Sequence, residues 1–223
     1  ARTSEMPFPS DFDPGRCVLF LGSGFSAGAN NSNGENPPIG NGLKQKILQE
    51  LNIPDSDRDL KDVAGYASRK IDLYSLLRQQ YTITELSQEQ LDVLQKKWRR
   101  IYTTNYDDTV ELHGKITKRH PSRNTYSIEN ARPTKLPPDS VIHLHGYIHA
   151  CTSDGVLNQL VLDHRSYAEQ AALESPWWDQ FQRDLRAAEW VFFIGYSLSD
   201  FAVAKYLTKR ESLAGKTCFV LRG

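Results

Sequence analysis

The sequence predicts an α/β fold in which a parallel sheet is covered by helices on both faces. Five short runs, CVLFLG, RIYTTN, VIHLHG, WVFFIG and KTCFVLRG, are largely continuous apolar stretches, as strands buried on both faces are. The segments between them place apolar residues at helical spacing, and that alternation builds parallel sheets. A third observation concerns the strand ends. Gly22-Ser23-Gly24, Thr104-Asn105-Tyr106-Asp107, His145-Gly146 and Gly195-Tyr196-Ser197 all follow predicted strands. Ligands of such sheets bind outside the carboxyl ends of the strands, so four small or polar exits at one edge mark a site.

In chain order, residues 1 to 16 read as a polar, proline-containing lead-in to the first strand. NNSNGENPPIGNG is rich in Asn, Gly and Pro and reads as loop. LKQKILQELN, LYSLLRQQ and QEQLDVLQKKW make residues 43 to 98 mainly helical, with a break near NIPDSD. After RIYTTN, YDDTVELHG reads as a short helix with Asp near its start. DHRSYAEQAAL and PWWDQFQRDLRAAE follow the third strand as helices, with Asp163 and Ser175 as caps and Pro176 at a first helical position. SDFAVAKYLTKRES is the last helix, capped by Ser199 or Asp200.

The length suits one sizeable domain over residues 1–223. Lys plus Arg and Asp plus Glu balance at 27 each, which argues against a surface built to coat nucleic acid or an anionic membrane. No apolar run reaches the length of a membrane span, and no signal-peptide pattern opens the chain. It starts at Ala1, as if an initiator or leader had been trimmed, and stops at Gly223 just after a strand, as if a longer protein continued. Three scattered cysteines, Cys17, Cys151 and Cys218, form neither a disulfide framework nor a CxxC zinc pair. A cytoplasmic protein is expected.

Gly22-Ser23-Gly24 admits two readings. Glycine lets backbone N–H groups approach a pyrophosphate at a helix start, or it permits a tight turn. Ala27 stands where a GxGxxG motif has its third glycine, so that fingerprint is absent. Ser26 either binds phosphate or caps a helix. Asn105 can hold a ribose hydroxyl or orient a water, or close an Asx turn. Asp108 reads as a charge at a helix N-terminus. His145 is the candidate general base. His143 shares its strand face by period two, but no third ligand at convincing spacing supports a metal pair. His113, His120, His149 and His164 read as loop or helix-surface residues. Tyr196 either stacks on a base or packs, and Arg222 could lie near an adenine. Trp177, Trp178 and Phe181 read as core, and KKWRR as a solvated helix end.

Gly22-Ser23-Gly24-Phe25-Ser26, Thr103-Thr104-Asn105-Tyr106-Asp107, His145-Gly146 and Gly195-Tyr196-Ser197 occur in the order of the sirtuin motifs Gly-Ala-Gly-x-Ser, Thr-Gln-Asn-x-Asp, His-Gly and Gly-Thr-Ser. The chain resembles that family from about residue 17 to 222. It lacks the paired cysteines of the deacylase zinc module after His145-Gly146, and Thr104 replaces Gln. In this it is more similar to the sirtuin-like NAD hydrolases of bacterial anti-phage defence. The resemblance implies a three-layer Rossmann-like fold with a helical insertion at about 43–98 and no zinc module. It implies NAD as substrate and no metal, so that a chelator should change neither stability nor activity. Asn105 and His145 are the implied catalytic residues. Gly22, Ser23, Gly24, Phe25, Ser26 and Thr104 are implied contacts to NAD, with Asp107 at the nicotinamide carboxamide and Gly195, Tyr196 and Ser197 at the adenosine half. A bulky residue at Gly24 should weaken binding and leave the fold intact. The implied setting is a homo-oligomer, or a fused or associated sensor domain that restrains the activity. A non-catalytic NAD or ADP-ribose module and a protein deacylase are the alternatives.

Overall fold

Four-residue strands at Val18–Leu21 (β1), Arg100–Thr103 (β4), Ser140–His143 (β6) and Val191–Ile194 (β7) are buried at every position, which is why their sequences show no alternation. The computed structural model describes residues 12–118, 122–162, 175–197, 203 and 215–220. With Thr125–Ser127 (β5) and Thr217–Val220 (β8) they form a six-stranded sheet in the order β5-β6-β4-β1-β7-β8. Every neighbouring pair is parallel, and β1 is flanked by β4 (Phe20 opposite Tyr102) and by β7 (Phe20 opposite Phe193). The fold is the Rossmann-like α/β architecture expected from the sequence.

Three apolar clusters hold the layers together. On one face Pro176–Ala187 (α8) lays Trp177, Trp178, Phe181 and Leu185 against Phe20, Tyr102, Ile142 and Phe193. Ser175 caps this helix through the Trp177 N–H, and Pro176 opens it. On the other face Leu19, Leu21, Ile101, Val141 and Phe192 pack against Phe25, Val93, Leu94, Trp98 and Val110. Val93 and Leu94 come from Gln88–Leu94 (α5), which starts in a capping box between Ser87 and Gln90. Val110 lies on Thr109–Ile116 (α6), and the short helices Ser23–Ser26 (α1) and Val156–Gln159 (α7) follow β1 and β6.

The third cluster belongs to the insertion. Asn41–Glu50 (α2), Leu60–Ala67 (α3) and Leu73–Tyr81 (α4) bury Ile47, Ala64 and Leu77 against Ile148, Val156 and Leu160. Asp59 and Asp72 cap α3 and α4 through the N–H groups of Asp62 and Ser75. Two short strands not foreseen from the sequence, Asn30–Asn31 (β2) and Ile83–Glu85 (β3), pair antiparallel at the insertion's margins. The helix expected at 163–173, most of that at 199–212, and Asp163, His164, His120, Ser199, Asp200 and Arg222 lie outside the described residues.

Candidate active site

A cavity of about 420 Å³ opens where β1, β4, β6 and β7 end, a volume in the range of small-molecule sites. From the strand exits it takes Ser23, Ser26, Thr104, Asn105, Asp107, His145, Tyr196 and Ser197. The four exits therefore converge on one space. Gly22, Gly24, Phe25 and Gly195 do not line it.

Asn105 is held from three directions. Its N–H donates to Thr103 Oγ1 (3.0 Å), whose hydroxyl donates to the Leu21 carbonyl (3.0 Å). Its side-chain Nδ2 donates to the Gly22 carbonyl (3.0 Å) and to Ser26 Oγ (2.8 Å). A carbonyl only accepts, so the amide nitrogen must face Gly22. Both amide hydrogens are thereby used, and Oδ1 is the atom left to address a ligand. Ser26 is the internal brace of this arrangement: it also bonds Asp107 and lies 3.4 Å from Thr109 Oγ1. Burial pushes the Asp107 carboxyl above the usual carboxylate range despite the Thr109 and Ser26 hydrogen bonds.

The glycines serve a backbone junction. The N–H groups of Gly22, Gly24 and Phe25 donate to the carbonyls of Ile194 (3.0 Å), Gly195 (2.8 Å) and Gly22 (2.9 Å). A pyrophosphate cradle made from those N–H groups does not fit this conformation, because each already has an acceptor. A Cβ on Gly24 would sit 2.9 Å from the Gly195 oxygen, and Gly195 itself has φ +65°. A bulky residue at Gly24 therefore disturbs the fold as well as the site, contrary to expectation. What the segment presents to the cavity is Ser23 and Ser26.

His145 and His143 part company at the end of β6. His145 leaves the strand, its carbonyl accepts the Val161 N–H (2.9 Å), and Gly146 turns the chain at φ +91°. Its side chain lines the cavity, and the residue is 8% exposed. His143 stays fully buried, with Nδ1 2.9 Å from the Asn105 carbonyl and Nε2 3.3 Å from Glu111 Oε1. No metal pair results. Among the described residues no group of three or more His, Cys, Asp or Glu is arranged to hold a metal ion.

Other side chains depart from their sequence readings. Asp108 does stand at the start of α6, but its Oδ1 accepts the Ile83 N–H (2.7 Å) and its Oδ2 lies 3.3 Å from His149 Nε2. Burial raises its pKa, and these partners outweigh burial and lower it overall. His113 is buried on α6, not on its surface, with Nδ1 3.2 Å from Arg123. KKWRR is no solvated helix end, since Trp98 and Arg100 are buried and both arginines reach Asp184. Tyr196 packs edge-on against Phe20 (5.1 Å) while still reaching the cavity.

The sequence did not point to the opposite wall. Pro37 to Asn41 lead into the insertion, Leu43, Lys44, Arg58 to Leu60 and Tyr81 come from it, and Tyr106, Val161 and Leu162 close the remainder. Lys44 and Arg58 bring positive charge to this wall, while Asp59 is engaged in capping α3. No motif marks them; only the folding of α2–α4 against Ile148 and Leu160 brings them there.

A parallel sheet whose exits place Asn, Asp and His around one cavity defines a ligand-handling α/β domain of the Rossmann-like class. The SIR2-like domain model matches residues 99–221, more than half of the chain, and the protein belongs to the SIR2-like domain family. With that membership comes a sirtuin-like, NAD-related function. The matched span holds Asn105, His145 and Gly195; β1, the Gly22-Ser23-Gly24 turn and the helical insertion precede it. No curated protein matches the chain. Among the described residues no helix is long and apolar enough to cross a membrane.

Proposed function

We propose that the protein is an NAD hydrolase that cleaves the nicotinamide–ribose bond to give nicotinamide and ADP-ribose, as the NAD-depleting effector of an anti-phage defence system. The observation that carries this reading is the Asn105 amide. Both of its hydrogens are committed to Gly22 and Ser26, which fixes Oδ1 as an acceptor at the cavity shared with His145 and Asp107. Such an acceptor suits a ribose hydroxyl or an attacking water. His145 takes the proton of the water as its oxygen bonds to the ribose carbon, and the electron pair of the broken C–N bond leaves with nicotinamide. Asp107, part of whose carboxyl is engaged by Thr109 and Ser26, faces the carboxamide. Asn105 (9% exposed) and His145 (8% exposed) sit buried at the cavity's sheet side, which restricts competing acceptors. Lys44 and Arg58 offer charge to the phosphates. The working assembly is a homo-oligomer or includes a fused or associated regulator.

The test is nicotinamide release by the full-length protein, alone and assembled. Asn105→Ala and His145→Ala should each lower kcat by about a hundredfold or more while NAD affinity by calorimetry stays within about threefold. Full turnover by either variant removes that residue from the chemistry. NAD binding without turnover by the wild-type assembly would establish a non-catalytic NAD module instead, and a cyclic or protein-linked ADP-ribose product would replace water as the acceptor.

A further inference from the structure

Deeper than the cavity, Asn105 is gripped a second time. The imidazole of His143 bridges two oxygen acceptors, the Asn105 carbonyl at Nδ1 (2.9 Å) and Glu111 Oε1 at Nε2 (3.3 Å). Glu111 is itself steadied by the Thr125 hydroxyl of β5 (2.7 Å), and the Tyr147 ring lies over the imidazole at 4.4 Å. A carbonyl cannot donate, so Nδ1 carries a proton. An ionised carboxylate cannot donate either, so Nε2 carries one too. The geometry calls for an imidazolium, fully buried, paired with a carboxylate that is 11% exposed.

We propose that His143 and Glu111 form a positioning clasp that holds the Asn105 backbone, and with it the Asn105 amide, in the orientation the cavity requires. Neither lines the cavity, so both act through Asn105, and this role rests on the hydrolase reading only where turnover is measured. The groups that face the imidazole are Glu111 from α6, Asp107 from the turn before α6, the Asn105 carbonyl from the exit of β4, and Tyr147 beyond β6. Behind Tyr147 stand Asp108, Arg78 and His149. Burial disfavours the charged ring, and Glu111, the Asn105 carbonyl and Asp107 outweigh it and raise the His143 pKa. Deprotonation takes one hydrogen from the bridge. Either the carbonyl or the carboxylate then loses its donor, so the clasp opens on the alkaline side.

The experiment is a pH titration of the full-length chain carrying 15N-labelled histidine and asparagine, with His143→Gln and Asn105→Ala used only to assign resonances. Both His143 ring nitrogens should be protonated at neutral pH, and the Asn105 side-chain amide should shift with the same midpoint as His143. Glu111→Gln should lower that midpoint by about one pH unit or more. In turnover it should lower kcat about tenfold with KM within about threefold, and bring the alkaline limb of kcat to lower pH; Glu111→Asp should restore part of both. A His143 ring that is neutral at neutral pH, or an Asn105 amide that ignores the His143 titration, overturns the clasp, and the wild-type spectra decide this even if Glu111→Gln does not fold. A coupled titration in a protein that never releases nicotinamide upholds the clasp and rejects the hydrolase.

Discussion

Asp184 of α8 lies 2% exposed beneath the sheet and collects four donors, from β4, the residue just before it and α8 itself. Arg100 Nε (3.1 Å), Tyr102 Oη (2.7 Å) and Gln180 Nε2 (3.2 Å) meet Oδ2, and Arg99 Nε lies 3.4 Å from Oδ1. Removing one partner of a buried ion pair strands the other charge, which costs about 3–5 kcal/mol. Asp184→Ala is therefore expected to lose that much in chemical denaturation, and a change under about 1 kcal/mol would mean that water reaches Arg100 freely. His143 supplies a pH-dependent counterpart. Its folded pKa is raised from an ordinary 6.5, so the fold holds the proton more tightly than the unfolded chain does. The stability this contributes is fully present below the ordinary value and is lost as pH rises through the folded one. The melting temperature of the wild type should fall on that alkaline approach, and Glu111→Gln should flatten the fall. An identical pH profile in the two proteins would show that Glu111 does not set the His143 proton.

The insertion is an element whose core doubles as the cavity's support. Ile47 and Leu77 are fully buried and join α2 and α4 to Ile148 and Leu160, while Lys44, Arg58 and Tyr81 of the same unit face the cavity. Truncation of either residue to Ala should cost about 2–5 kcal/mol and weaken NAD or ADP-ribose binding. Affinity unchanged in calorimetry would mean that the insertion wall makes no contact that matters. The strand exits were legible in the sequence because a strand buried on both faces is a continuous apolar run, and the residue after it necessarily lies at the sheet edge. The insertion wall was not, because helical periodicity shows that α2 and α4 have apolar faces but not what those faces meet. β5 escaped for another reason: a three-residue strand such as Thr125–Ser127 is too short to show a period, and it owes its place to pairing with β6. The bond between Glu111 and His143 joins residues 32 apart on a helix and a strand, a contact no local pattern encodes.

At the scale of the whole molecule, the chain runs from β1 to β4, then to the outer β5 and back to β6 between them on one side, and returns to place β7 on the other. Gly22 and Gly195 meet at that reversal, which is where open α/β sheets form their ligand crevice. The cavity there is walled by two bodies with separate cores, the sheet edge and the insertion. A ligand that touches both is linked to the folding of both, so binding should stabilise the fold as a whole. At free ligand a hundredfold above Kd the gain is about 2.7 kcal/mol, and for a chain of this size each kcal/mol moves the melting temperature by about 2–4 °C. ADP-ribose, which is not consumed, should therefore raise the melting temperature by about 5–10 °C. Asn105→Ala should keep most of that shift if Asn105 serves the chemical step more than affinity. Leu77→Ala should keep less of it, because the wall it supports is loosened. Absence of any shift in the wild type with ADP-ribose and with NAD would show that the folded protein does not bind the nucleotide and would remove the cavity from the proposal. A full shift in Leu77→Ala would confine binding to the sheet edge.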